Sequence, residues 1–198
     1  MAASQVGIFT HSEKGLDRPD VQYHLQPLSA DKPADGTHSF SAFTASVCQL
    51  RPSSRGRIRL KSNNMTDAPA IEPNYLATRE DQEVAINAIK LTRKLVKAPA
   101  LEGLIAEEYE PGLQHQTDQQ LLDYARLRAT TIYHPAGTCK MGSDKMAVVD
   151  QRLRVHGLEG LRVADCSIMP LLVSGNTNAA AIMIAEKAAD MIIEDQKI

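Results

Sequence analysis

The sequence predicts an α+β fold: a mostly antiparallel sheet with covering helices, followed by a strand-helix piece at the C-terminus. Three observations carry that expectation. Short alternating segments near residues 20–28, 45–50 and 57–61 are separated by turn residues and read as strands. Two helical stretches, 78–97 and 117–129, follow as a block and suit a layer over one face of the sheet. A last apolar helix, 178–194, closes the chain.

The elements follow from local chemistry. Residues 1–19 are polar and broken by Gly15 and Pro19, which suits a loop or an edge segment. Val21, Tyr23 and Leu25 then share one face of a half-buried strand, and A-D-K-P-A-D-G makes a turn-rich connection ending at Gly36. Around P-S-S-R-G lie two short strands. In the second, Ile58 and Leu60 alternate with Arg57, Arg59 and Lys61, which predicts a hairpin with one wet face. Residues 62–75 read as a loop.

Helix signals come next. Thr78 is placed as an N-cap, with Glu80, Asp81 and Glu83 following and Arg93, Lys94 and Lys97 at the far end, the charge order that a helix dipole favours. Val84, Ala88, Leu91 and Leu95 recur at helical spacing until Pro99 stops the run. Thr117 opens a second helix with T-D-Q-Q, a capping box. Residues 161–164 read as a short buried strand. The 178–194 helix is apolar on several sides, which predicts deep packing.

Composition narrows the function classes. The chain has 198 residues, enough for a proper core, and a net charge of −2 with both signs interspersed, so no nucleic-acid partner is expected. Cys48, Cys139 and Cys166 are odd in number and lack metal spacing, which favours a reducing compartment, no disulfide framework and no metal. The N-terminal M-A-A-S-Q-V-G has no charged region before an apolar core, and no apolar run approaches the ~20 residues of a membrane span. The expectation is a soluble, cytoplasmic chain, with a peripheral place at the inner face of a membrane as the alternative.

The densest information lies between residues 133 and 193. Y-H-P-A-G-T-C-K-M-G runs from Tyr133 to Gly142, R-V-A-D-C-S-I-M-P from Arg162 to Pro170, and V-S-G-N-T-N-A-A-A-I-M-I-A-E-K from Val173 to Lys187. A histidine ordinarily titrates near neutrality and can serve as base for an alcohol proton, although most isolated histidines are structural. Asn176 and Asn178 precede an apolar helix and could simply cap it.

These three runs resemble the C-terminal region of the glucose-methanol-choline (GMC) family of FAD-dependent oxidoreductases, from about Pro19 onward. The resemblance implies a substrate-binding domain over 20–143, preceded by the 1–19 edge segment, and a segment 144–198 that completes an FAD-binding domain. It makes His134 the base that takes the substrate hydroxyl proton while hydride passes to flavin. Asn178 is its partner across the substrate oxygen, an amide that can donate without titrating. Tyr133, Asp165, Cys166, Asn178, Ala179 and Ala180 are the implied FAD contacts. Cys166 stands where most relatives have Ala, and Ala179 to Ala181 where many have A-P-T.

The eleven glycines never fall as G-x-G, the turn that lets backbone amides approach a dinucleotide pyrophosphate. The expectation is therefore a C-terminal portion whose partner is an N-terminal FAD domain, leaving apolar surface exposed in its absence. Within the family, H-P-A-G-T-C and S-G-N-T-N look most like bacterial members oxidising aliphatic primary alcohols to aldehydes, with choline as the alternative substrate and a non-NAD electron acceptor. A reading from another class is an inactive remnant or interaction module.

Overall fold

The computed structural model describes residues 4–30, 36–101 and 103–196, so part of the A-D-K-P-A-D-G connection lies outside the described residues. Among the described residues five strands come first: β1 (Val6–Thr10), β2 (Val21–Gln26), β3 (Thr44–Gln49), β4 (Arg57–Arg59) and β5 (Ala70–Glu72). The helices are α1 (Arg79–Val96), α2 (Asp118–Arg128) and α3 (Asn178–Asp195), with short 3-10 turns at Pro99–Leu101 and Cys166–Ile168. Two compact units result. One comprises Met1–Ser54 and Leu76–Thr130, the other Arg55–Tyr75 and Thr131–Ile198. This partition cuts the chain at other points than 19/20 and 143/144.

In the first unit, β1, β2 and β3 form an antiparallel sheet with β2 in the centre. Tyr23 lies opposite Ile8 on one side and Val47 on the other, and both Val21 and Tyr23 are fully buried. Their core continues onto α1 through Val84, Ala88 and Leu91, which are four and seven residues apart and so share a helix face. Full burial of each such side chain stabilises by about 1.5–3 kcal/mol. The buried Tyr23 hydroxyl is satisfied by donating to the Ala88 carbonyl at 3.0 Å. A second α1 face, Ile86 and Ile89, packs with Leu121 and Leu122 of α2. Thus α1 lies on the sheet and α2 lies on α1, a stack in place of two helices side by side on the sheet.

Both caps read from the sequence form. Thr78 accepts from the Asp81 amide, and Thr117 with Gln120 completes a reciprocal capping box. The expected hairpin between 45–50 and 57–61 does not form: β3 pairs with β2, and β4 pairs with β5 inside the stretch read as a loop. At Gly56 the backbone runs so close to the 72–73 segment that a Cβ would overlap the Glu72 carbonyl oxygen, and the absence of a side chain lets β4 enter the ladder with β5.

Asp81 holds the entrance to α1. Only 2% exposed, its carboxylate accepts from the Ser53 and Ser54 amides, both at 2.8 Å, from the Ser53 hydroxyl at 3.0 Å and from Gln49 Nε2 at 3.0 Å. Burial alone would raise its pKa, but the Ser54 side chain, the two amides and Gln49 together outweigh it and bring the carboxyl down to about 2. The first turn of α1 adds its own positive end.

In the second unit, Val149, Leu153, Ile168, Met169, Ile184 and Ala188 make the core. Residues 161–164 are not a strand: Arg162 makes a single antiparallel bridge to Arg154, and Leu161 is 49% exposed. Gly157 and Gly160, both at positive φ, fold the chain back too tightly for a longer ladder. Nor is α3 deeply packed. It buries Ile184 and Ala188, while Ile182, Met183 and Ile193 stay half-exposed, because this unit supplies one apolar cluster against one helix face. Its C-terminal end is clamped by Arg152, which donates to the Met191 carbonyl at 3.1 Å and to Asp195 at 2.8 Å, and by Arg162, which also pairs with Asp195. Cations at a helix C-terminus complement its dipole.

The lowered pKa of Asp81 gives an acid-side prediction. Its contribution is complete above the ordinary aspartate pKa near 4 and is lost as pH falls from about 4 through about 2. Asp81→Asn should cost about 2 kcal/mol at pH 7 and progressively less toward pH 2. Urea unfolding of both proteins across that range measures the difference. Equal loss at every pH would show that the charge is not what stabilises the site.

Candidate active site

The H-P-A-G-T-C-K-M-G run is laced to the C-terminal core by its backbone. The Gly137, Cys139 and Met141 amides donate to the Cys166, Ser167 and Ile168 carbonyls at 3.4, 2.9 and 2.7 Å. On the far side, the Gly142 amide donates to the Val149 carbonyl and the Val148 amide to the Lys140 carbonyl, at 3.0 and 2.9 Å. Ala136 and Met141 contribute to the core cluster. Gly137 in the run and Tyr133 just before it occupy left-handed backbone, at φ 87° and 63°. For a bulky residue such a φ is strained, and it falls next to His134.

His134 is half-buried and its ring is held at both nitrogens. Asn176 Nδ2 faces Nε2 at 2.9 Å, and Thr177 Oγ1 lies 2.8 Å from Nδ1. Both partners immediately precede α3. Thr177 is 7% exposed and is the N-cap residue, yet its side chain makes no cap bond with the first turn. Forgoing such a cap costs about 0.5–2 kcal/mol, so the imidazole contact takes the place of a bond the helix would otherwise use.

The other candidates fall around this point. Asn178 is the first residue of α3 and is exposed; the ring bonds to the two residues before it instead. Ala179 is exposed and Ala180 half-buried on the same first turn. Asp165 caps the Cys166–Ile168 turn, accepting from the Ser167 amide at 2.7 Å. Cys166 is half-buried and its thiol lies 3.9 Å from the Thr177 carbonyl, so it reaches the segment that carries the histidine's partners. Tyr133 is 76% exposed. Among the described residues no three His, Cys, Asp or Glu side chains converge as a metal site would require.

Asn176 entered the sequence reading only as a possible cap, and Thr177 not at all. The sequence gives no signal for Thr177: Ala180 three residues on cannot close a reciprocal box as Gln120 does, but its amide could still donate to the threonine hydroxyl, so nothing local directs that hydroxyl to His134.

Residues 52–185 match the family model of GMC oxidoreductase, and the chain belongs to that family. It is 46% identical over 186 residues to oxygen-dependent choline dehydrogenase of Cronobacter sakazakii, covering 94% of this chain and 33% of that protein. The corresponding protein of Pseudomonas fluorescens is 45% identical over 188 residues, with 95% and 33% covered. Among solved structures, pyridoxine 4-oxidase from Mesorbium loti superposes with a TM-score of 0.85 at 30% identity, covering 95% of this chain and 37% of that one. Formate oxidase from Aspergillus oryzae RIB40 gives 0.84 at 26% identity, with 92% and 33% covered. The chain thus spans about a third of the length of the curated relatives it matches and corresponds to their C-terminal region.

FAD is the cofactor of this family. The residues present suit the ring end of that molecule. Small side chains at Ala179 and Ala180 allow close approach to a helix start whose amides the Thr177 side chain does not cap. A pyrophosphate-holding G-x-G turn is absent from the sequence. No helix among the described residues is long and apolar enough to cross a membrane.

Gly137 offers a test of how rigidly the histidine run is held. An added Cβ would sit 3.3 Å from the Met169 carbonyl oxygen at a φ that side chains disfavour. Gly137→Ala should therefore destabilise the second unit by about 1–2 kcal/mol. Thermal unfolding measures it, and an unchanged Tm would mean that the run relaxes without strain.

Proposed function

We propose that the protein to which this chain belongs oxidises a primary alcohol to an aldehyde, with His134 as general base and FAD as the hydride acceptor. The observation that supports the reading is that His134, in a run laced by its backbone to the C-terminal core, has both ring nitrogens held by the two residues that open α3. FAD, when bound, supplies the acceptor for the carbinol hydride.

The residues of this chain do the rest. His134 Nε2 accepts the hydroxyl proton, with the alcohol taking the place opposite that nitrogen where the Asn176 amide now sits. Asn178, exposed at the helix start, donates its amide to the substrate oxygen and supports the charge that develops there. Tyr133, Asp165, Cys166, Ala179 and Ala180 border the cofactor. The half-exposed stripe of Ile182, Met183 and Ile193 is covered by the N-terminal FAD domain, which also holds the pyrophosphate. Electrons leave to an acceptor other than NAD.

Choline is the favoured alcohol, because the relatives at 44–46% identity carry that substrate in their names. A simple aliphatic alcohol is second, on the look of H-P-A-G-T-C and S-G-N-T-N.

In the full-length, FAD-loaded protein, His134→Ala should lower turnover about a hundredfold or more while flavin absorbance is retained. Asn178→Ala should cost about 2–4 kcal/mol of transition-state stabilisation. Steady-state rates with choline and a series of primary alcohols test both. Full turnover in His134→Ala would remove the base; no turnover with any alcohol by the parent protein would favour the inactive remnant.

A further inference from the structure

Threonines stand at the N-caps of α1, α2 and α3, and one behaves differently. Thr78 and Thr117 have extended backbones, with ψ of 152° and 157°, and each hydroxyl accepts from an amide of its own first turn. Thr177 has ψ −10°, in the helical region, and makes no such bond. Its hydroxyl, buried with the rest of the residue, is directed to Nδ1 of His134 at 2.8 Å. The residue before it places an amide nitrogen 2.9 Å from the other ring nitrogen.

These two contacts agree on one protonation pattern. An amide nitrogen can only donate, so Nε2 must present its lone pair to Asn176. A neutral imidazole then carries its proton on Nδ1, and that N–H donates to the Thr177 hydroxyl oxygen. We propose that Thr177 is a positioning residue that fixes His134 as the Nδ1–H tautomer and so keeps Nε2 as the proton-accepting atom. The proposal deepens the base reading and rests on it for its purpose, but the tautomer itself can be read without turnover.

The arrangement has a structural logic. Because the hydroxyl belongs to the residue that begins α3, the ring orientation and the helix start are set by one side chain. The methyl group of threonine, shared with valine, fills the buried position, so the hydroxyl can be removed with little change of shape.

The experiment is nitrogen-15 NMR of the 198-residue chain with labelled histidine. Ring nitrogens are correlated to the carbon-bound ring protons across an alkaline pH series, up to the pH at which the spectrum stops changing. The wild-type signal of His134, assigned by its loss in His134→Gln, should show a protonated Nδ1 and an unprotonated Nε2. Thr177→Val should shift the tautomer ratio toward Nε2–H by about fivefold, the scale of one lost hydrogen bond. Thr177→Ser should restore the wild-type ratio. A wild-type ring protonated at Nε2 would overturn the proposal outright, even if Thr177→Val failed to fold. A Val variant that folds and keeps the Nδ1–H tautomer would overturn it as well. Failure of the base reading is separable: His134→Ala with full turnover in the FAD-loaded protein would remove the base and leave the tautomer result standing.

Discussion

The contact between the His134 ring and the two residues ahead of α3 ties together parts of the chain that lie more than forty residues apart in sequence. On one side, the ring belongs to a backbone run stitched to the Cys166–Ile168 turn and to Val149. On the other, Thr177 opens a helix whose buried face, Ile184 and Ala188, packs on the same core. The far end of that helix is gripped by Arg152 and Arg162 through Asp195. A helix fixed at both ends and along one side cannot slide, so the distance from the imidazole to the first turn is set by the whole unit. A site built on such supports is held more sharply than one carried by a free loop.

The first unit is organised by a different kind of constraint, a buried charge. Asp81 would be costly inside a protein without partners; four donors converge on it and connect β3, the 51–54 segment and α1. Apolar contacts at Tyr23, Ala88 and Leu121 bring the sheet and helices together, but they are directionless. The carboxylate supplies direction, because only one register of α1 against Ser53 and Ser54 satisfies both oxygens.

Local features were legible in the sequence where local chemistry decides them. The threonine caps, the charge order of α1 and the extents of all three helices follow from residues within a turn of each boundary. Strand pairing was less so. Ile58 and Leu60 alternate as a strand should, yet nothing near them says that the partner is Ile71 and not the preceding strand; the close approach that allows it depends on Gly56 having no side chain. The candidate base, His134, stands out in the sequence through its motif. Its two bonded neighbours were missed because Asn178 carries the more telling family position, while the turn geometry at Thr177 depends on a backbone angle that composition does not encode. Residues 161–164 misled for a similar reason: their apolar character matches a strand, and the two glycines just before them, Gly157 and Gly160, prevent one.

The first unit is interrupted, and the manner of the interruption matters. The chain leaves after Ser54 and returns at Leu76, and the two ends are fastened where the Ala77 and Thr78 amides donate to the Ser54 hydroxyl oxygen at 2.9 and 3.2 Å. Everything between is, to this unit, a closed loop whose cost grows only with the logarithm of its length; doubling it would add about 0.6 kcal/mol. Lengthening the chain within 55–75 therefore costs the first unit little in closure entropy, whatever it does to the ladder of β4 and β5.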